Sequence, residues 1–228
     1  AWLIFKSIIG YDSKDKKSLI QAESFDISEN LGNFIPKIGF LNKYFMEESD
    51  EQVKNSTLSA LKSLSNQGAA IEELELKIDF ESGFQSHRIV QQSEMAQWHE
   101  PLYSKYQNKY KPITLEYIKS GFTQNATDYI NALGFRNRMR KIFIDSLKSF
   151  DVLIMPTASG LPPKDLSRTG DTRFQSPWTF TGLPSIAIPA GLSENGLPQS
   201  LQLVSLPYKE KKLLNSAKWI ESVLGTLP

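Results

Sequence analysis

The sequence of 228 residues contains no cysteine and only two histidines, His87 and His99. The lack of cysteine excludes disulfides, thiolate nucleophiles and cysteine-ligated zinc. It is compatible with a reducing compartment, and we expect a cytoplasmic protein. The two histidines lie too far apart in sequence for a zinc-binding pair on one helix, and no second ligand type is spaced with them. A structural or surface role is therefore favoured for both, and we expect no metal site.

Long apolar runs and an excess of charge are also missing. No segment approaches the roughly 20 apolar residues that span a bilayer, and no secretory signal peptide is visible. The formal net charge is only +1 at pH 7, which argues against nucleic acid or an anionic membrane as a partner. One basic cluster occurs, but it goes round a predicted helix and has no aromatic stacking platform. We interpret it as a solvated helix face, made of Arg136, Arg138, Arg140 and Lys141.

The usual signatures of a hydrolase are absent as well. The sequence has no Gly-x-Ser-x-Gly nucleophile elbow and no Gly-rich phosphate loop. Residues 1–12 look like the end of an apolar helix whose start is missing, because no capping residue precedes the apolar turns. There is also no initiator Met. We therefore expect that this chain is a fragment of a longer protein.

Hydrophobic periodicity predicts strands that alternate with helices in the first part of the chain. Residues 37–41 and 71–78 are predicted strands, and a polar loop is expected over residues 12–34. A capping box at residues 49–52 predicts the start of the helix between the two strands. This order is a βαβ unit, in which the two strands run parallel. The positions that recur at helical spacing on one face of this helix are Val53, Thr57, Ala60, Leu61 and Leu64.

Helices dominate the middle of the sequence. We expect helices at residues 85–98, from Pro101 to about residue 108, and at residues 114–122. The longest helix is expected to begin at a cap at Thr127 or Asp128 and to end at residue 150. Buried positions are predicted on the first and the last of these helices. They are Ile89, Val90, Ala96 and Trp98 on the first, and Met139, Ile142, Phe143, Leu147 and Phe150 on the last.

The last third of the chain predicts the centre of a sheet. Residues 151–155 are apolar without alternation, as in a strand that is buried on both faces. Strands at residues 185–190 and 200–206 are separated by a short turn and should pair antiparallel. A final helix is expected over residues 209–224. The fold class predicted from these elements is α/β, with a mixed β-sheet core that helices cover on both faces, in a single domain over residues 1–228.

A short helix and a strand meet at a Gly-x-Pro corner in the same region. Residues 172–181 are predicted to be helical, and Gly182 follows them as a helix-ending glycine. This arrangement brings polar groups to one end of a sheet, which is where open α/β sheets bind ligands. Residues 173–191 read RFQSPWTFTGLPSIAIPAG, and the segments NGLP and LQLV follow at residues 195–198 and 201–204. These segments resemble the C-terminal motif of the amidase signature family.

The resemblance implies a hydrolase of carboxamides that uses a Ser–Ser–Lys triad. The family carries the two serines of this triad in a Gly/Ser-rich run, which this sequence lacks. The resemblance therefore implies that the triad precedes the region that the chain resembles, and we assign no catalytic residue here. What the resemblance implies for this chain is the wall of the substrate pocket. The implied substrate-binding residues are Asp171, Thr172, Arg173, Gln175 and Trp178. The structural alternative is that Asp171 and Arg173 form an ion pair while Phe174 and Trp178 belong to the core.

Two hypotheses for function follow. In the first, the chain is the C-terminal half of an amidase signature hydrolase that uses no metal or organic cofactor. Its partners are an amide substrate and the N-terminal half of the same protein. A homodimer is left open. Thr172 replaces an expected acid, and no arginine occurs near Glu116, which favours a general amidase over the amidase-type subunit of an aspartyl/glutamyl-tRNA amidotransferase. In the second, the chain is a non-catalytic binding or assembly subunit that docks a separate N-terminal half. Alone, the chain should turn nothing over in either case.

Overall fold

A five-stranded mixed sheet forms the centre of the computed structural model, which describes residues 1–15, 18, 34–163, 165 and 170–225. Its strands are β1 (Ile38–Leu41), β2 (Ile71–Leu74), β3 (Val152–Pro156), β4 (Ser185–Leu192) and β5 (Pro198–Val204). They lie in the order β2-β1-β3-β5-β4. β1 is parallel to β2 and β3, whereas β5 is antiparallel to both β3 and β4. The predicted mixed sheet is therefore confirmed.

Helices cover both faces of this sheet. The helices in the described ranges are α1 (Trp2–Ile8), α2 (Lys43–Glu47), α3 (Glu51–Asn66), α4 (Phe80–Tyr106), α5 (Pro112–Phe122), α6 (Ala126–Leu147), α7 (Ser176–Thr181) and α8 (Glu210–Leu224). α3 and α8 pack on one face, and α4, α6 and α7 pack on the other. Side chains of β3 alternate between the two cores: Val152 and Ile154 point to the first, Leu153 and Met155 to the second. β3 is thus the predicted strand that is buried on both faces.

The start of α3 differs from the prediction by one residue. All five positions predicted to lie on one face of this helix are buried. The capping residue is Asp50, whose carboxylate accepts from the backbone N–H of Val53 at 2.8 Å. Ser49 instead donates its hydroxyl to the carbonyl of Phe45 at 2.6 Å, at the end of the unpredicted helix α2. Ser49 and Asp50 both have side chains that can cap a helix, but each serves a different helix. The sequence alone does not show which of the two residues caps α3.

The middle of the chain contains one long helix where two shorter ones were predicted. α4 continues through Pro101. A proline removes the hydrogen bond to the carbonyl four residues earlier. For Pro101 this is the carbonyl of Gln97, an exposed residue that water can hydrate. Val90 and Ala96 are buried as predicted, but Trp98, predicted to be buried, is 74% exposed.

The predicted longest helix, α6, has 22 residues and is shorter than α4, which has 27. Its N-cap is Asn125, whose side chain accepts from the backbone N–H of Asp128, so α6 begins before the predicted caps. It ends at Leu147 instead of residue 150. Met139 and Phe143 are buried on the predicted face.

The basic cluster on α6 is only partly the solvated face that was predicted. The guanidinium of Arg140 donates to the carbonyls of Thr181 and Gly182, the latter at 3.1 Å. These carbonyls end α7, and basic side chains commonly satisfy the last carbonyls of a helix. Gly182 has a φ of 64°, the left-handed conformation predicted for this helix end. Arg140 therefore joins α6 to the C-terminus of α7.

Several other elements have boundaries that differ from the prediction. β5 spans Pro198–Val204 where residues 200–206 were predicted, and α5 starts at Pro112 instead of residue 114. β2 ends at Leu74, because its partner β1 ends at the paired residue Leu41 and offers no further ladder. β4 continues to Leu192 through Pro189, which an edge strand tolerates. α7 begins at Ser176, after a turn, and not at residue 172. Most of the loop predicted over residues 12–34 lies outside the described residues.

Candidate functional site

A cleft of about 470 Å³ opens at the carboxyl end of β3. It is bordered by residues 158–163, which follow β3, by residues 170–172 and Gln175, which precede α7, by the first half of α3, and by residues 198–200 of β5. β1 and β3 are parallel, so their carboxyl ends lie at the same edge of the sheet. This is the edge at which open α/β sheets bind their ligands.

Three of the five predicted pocket residues line this cleft together: Asp171, Thr172 and Gln175. The side-chain amide of Gln175 donates to the backbone carbonyl of Thr157, which directly follows β3. The carbonyl of Thr172 accepts from the hydroxyl of Ser176 at 2.8 Å. The segment before α7 is therefore held against the end of the central strand. A role of these three residues in binding substrate stays a prediction.

Arg173 does not line the cleft with its neighbours. Its Nε lies 2.6 Å from Oδ2 of Asp171, and its Nη1 lies 2.8 Å from Oε2 of Glu48 at the end of α2. The backbone N–H of Arg173 also donates to Oδ1 of Asp171 at 2.9 Å. Burial acts to lower the pKa of the Arg173 guanidinium, but the attraction of Asp171 and the hydrogen bond to it outweigh burial, and this pKa is raised. The structural ion pair considered from the sequence is present.

Trp178, the fifth predicted residue, lies in the core. Its side chain is 1% exposed, and its ring centroid lies 4.7 Å from that of Phe143 and 6.0 Å from that of Phe45. Phe174 is fully buried, with its centroid 5.0 Å from that of Phe45. These aromatic contacts fix α7 on the sheet. Trp178 therefore supports the cleft from behind, as the structural alternative expected, instead of forming its surface.

Neutral polar side chains line much of the remaining cleft. Asp171 is the only charged residue among the described residues that border it. Sequence reasoning missed Ser159, although it lies in the turn after the predicted central strand and could have been found by the rule for strand ends. It also missed Gln199, because the direction of this side chain depends on the register of β5. The neutral polar residues that line the cleft are Ser56, Thr57, Ser159, Gln199 and Ser200.

Five serines are buried in the described part of the chain, and all of them hydrogen-bond to the backbone. Ser49, Ser176, Ser205 and Ser216 donate to carbonyls, and Ser193 accepts from the N–H of Leu197. An activated serine requires a base within hydrogen-bond reach. These five hydroxyls instead stabilise helices and turns.

Both histidines have structural contacts. His99 Nδ1 lies 2.9 Å from the hydroxyl of Tyr110, and the ring of His87 lies 5.4 Å from that of Phe180. Burial lowers the pKa of His87 and so favours its neutral form.

Among the described residues, no group of three or more His, Cys, Asp or Glu side chains is arranged to hold a metal ion. None of the helices in the described ranges has the length and apolarity needed to cross a membrane.

Comparison with known proteins identifies the family. The chain matches the Amidase family over residues 1–214 and belongs to it. A glutamyl-tRNA(Gln) amidotransferase subunit of Alkaliphilus metalliredigens is 28% identical, over 95% of this chain and 50% of that protein. A fatty acid amide hydrolase of Medicago truncatula is 34% identical over 44% of this chain and 18% of that protein. A crystal structure of an amidase superimposes with a TM-score of 0.77 at 21% identity, over 86% of this chain and 48% of that chain.

The chain spans about half the length of the curated amidotransferase subunits that it matches. The fold similarity extends over nearly all of the chain and likewise over half of the amidase structure.

Proposed function

We propose that this chain is the C-terminal half of an amidase signature hydrolase whose Ser–Ser–Lys triad lies in an N-terminal half. The proposal rests on the family match over residues 1–214, together with the similarity to an amidotransferase subunit of which the chain covers only half. In the complete protein, a serine activated by the second serine and the lysine attacks the amide carbonyl and expels ammonia or an amine. Water then hydrolyses the acyl-enzyme.

This half would supply one wall of the substrate pocket. The cleft at the end of β3 combines Asp171 with neutral hydroxyl and carboxamide side chains. Such groups can donate to an amide carbonyl and accept from an amide N–H, and a few placed polar groups usually fix a ligand's orientation. Thr172, which replaces the acid expected in a glutamine-binding pocket, favours a simple amide over glutamine.

The surface of α1 supports a partner half. This helix has no buried residue, and Leu3, Ile4 and Ile8 are 79%, 67% and 74% exposed. Exposed apolar side chains that lie together mark an interaction site or an aggregation liability. In the complete protein the N-terminal half would cover α1.

Ammonia release by the full-length protein and by the 228-residue chain tests this proposal. We expect the full-length protein to hydrolyse simple amides such as acetamide or benzamide faster than glutamine, and the short chain to hydrolyse none. Hydrolysis by the short chain alone would contradict an upstream triad. The full-length variant Lys141→Gln, a change on the exposed side of α6, is a control for the effects of substitution and purification. Its rate of ammonia release should match that of the wild type. Activity that appears only on mixing with a separately encoded N-terminal half would favour the assembly subunit.

A further inference from the structure

We propose that Arg173 is a positioning residue which, together with Glu48, sets the position of one rim of the cleft. The rim in question is the segment of residues 170–175 before α7. The kinetic part of this inference rests on the proposed function, whereas its structural part does not. Glu48 has no role in any prediction made from the sequence, because it lies 125 residues from Arg173 in the chain.

The direction of the Arg173 side chain is the first observation. Gly170, Asp171, Thr172 and Gln175 border the cleft, but Arg173 turns away from it and reaches Glu48 at the end of α2. Its guanidinium contacts two carboxylates, with N–O distances of 2.6 and 2.8 Å. A planar guanidinium can hold two carboxylates in a fixed geometry, which an ammonium group does less well. Arg173 therefore fastens the rim to α2.

The connection between α2 and α3 is the second observation. It carries Glu48, which binds Arg173 and thus one rim of the cleft. Two residues later, the backbone N–H of Asp50 donates to the carbonyl of Ser159 at 2.7 Å, which holds the segment after β3 that also borders the cleft. The connection is itself fixed, because Ser49 is buried and the Asp50 carboxylate caps α3. Two segments that border the cleft are thus attached to one short connection, and the shape of the cleft depends on it.

Gln175 supplies a second attachment for the same rim through its hydrogen bond to the carbonyl of Thr157. Loss of the Arg173–Glu48 contact should therefore displace the rim without detaching it. A displaced rim weakens substrate binding but leaves the reacting groups in place, so KM should rise while kcat changes little. Ion pairs with this degree of exposure contribute modestly, and we expect KM to rise about two- to fivefold.

The test uses the full-length protein with Glu48→Gln, Arg173→Gln and the double substitution. Glu48→Gln should raise KM within that range and leave kcat within about twofold of the wild type. Arg173→Gln should have the larger effect, because it also frees Asp171. The double variant should be no worse than Arg173→Gln alone, since the two side chains act as a unit. Lys141→Gln, which removes an exposed ion pair to Asp145 at 2.5 Å, is the matched control and should leave KM unchanged.

Hydrogen exchange gives a readout that does not depend on activity. In both single variants, the amides of residues 171–176 should exchange faster, while those of α8 should not. Exchange equal to that of the wild type would overturn the inference even if the proposed function failed. A raised KM in Arg173→Gln together with an unchanged KM in Glu48→Gln would also overturn it, because Arg173 would then contact the substrate directly. A wild-type protein without amidase activity would count against the proposed function alone.

Discussion

Gly121, near the end of α5, lies in direct backbone contact with α4. A Cβ atom added at this position would lie 2.0 Å from the carbonyl oxygen of Gln92 and 2.6 Å from Cβ of Ala96. Nonbonded heavy atoms favour separations of about 3.5–4.0 Å. Gly121→Ala therefore cannot be accommodated by rotating a side chain, and α5 must move away from α4 by more than about 1 Å.

Three contributions determine the expected loss of stability. Overpacking of a well-packed contact costs about 1–3 kcal/mol. Separation of the helices also breaks the hydrogen bond between Gln124 and Gln92, which measures 3.1 Å and contributes about 1 kcal/mol. Alanine in place of glycine in a helix offsets these losses by about 1 kcal/mol. The free energy of unfolding should therefore fall by about 1–3 kcal/mol, which lowers Tm by about 2–12 °C in a protein of this size.

Gly134 on α6 provides the matched control. The nearest atom to a Cβ added there is Nη1 of Arg138, at a distance of 3.5 Å. This atom lies at the end of a flexible side chain. Gly134→Ala should therefore raise the free energy of unfolding by up to about 1 kcal/mol. Thermal and urea unfolding of both variants, followed by circular dichroism, measures the difference. Equal shifts in the same direction would refute the reasoning from backbone contact.

Two further predictions concern carboxylates that pair with lysines. Partial burial acts to raise the pKa of Asp151, but hydrogen bonds from Lys212 and from a backbone N–H outweigh it and lower this pKa. Asp151→Asn should therefore lower the free energy of unfolding, measured with urea at neutral pH, by about 1 kcal/mol. This difference should disappear as the pH falls through the lowered pKa, and a difference that persists in acid would contradict the assignment. Hydrogen bonds from Lys141 and Lys148 lower the pKa of Asp145 to about 2, and an NMR titration should show a higher value in Lys141→Gln.

The parts of the fold that were predicted correctly are those whose signal lies inside one element. The five buried positions of α3 recur at helical spacing, so burial of one face follows from the sequence alone. β3 is apolar at successive positions, as is typical of a strand covered on both faces. The antiparallel pairing of β4 with β5 follows from the short turn between them.

The errors occurred where the boundaries of an element depend on its surroundings or where the element is too short to show a pattern. β2 stops at Leu74 because β1 stops at Leu41, which no property of residues 71–78 reveals. α2 has five residues, which is too short for a periodic pattern. Pro101 was expected to interrupt α4, but the carbonyl that it leaves unpaired belongs to an exposed residue and costs little.

The same distinction decides how much of the candidate site could be predicted. Asp171, Thr172 and Gln175 border the cleft because they precede α7 and are neighbours in sequence, so a local motif was enough to find them. Glu48 could not be found in this way, since its relation to the cleft depends on how α2 lies against the end of β3. The sequence also could not decide between pocket and core for Arg173 and Trp178. Side chains at adjacent positions of one turn point in opposite directions, and only the packing of α7 determines which of them face the cleft.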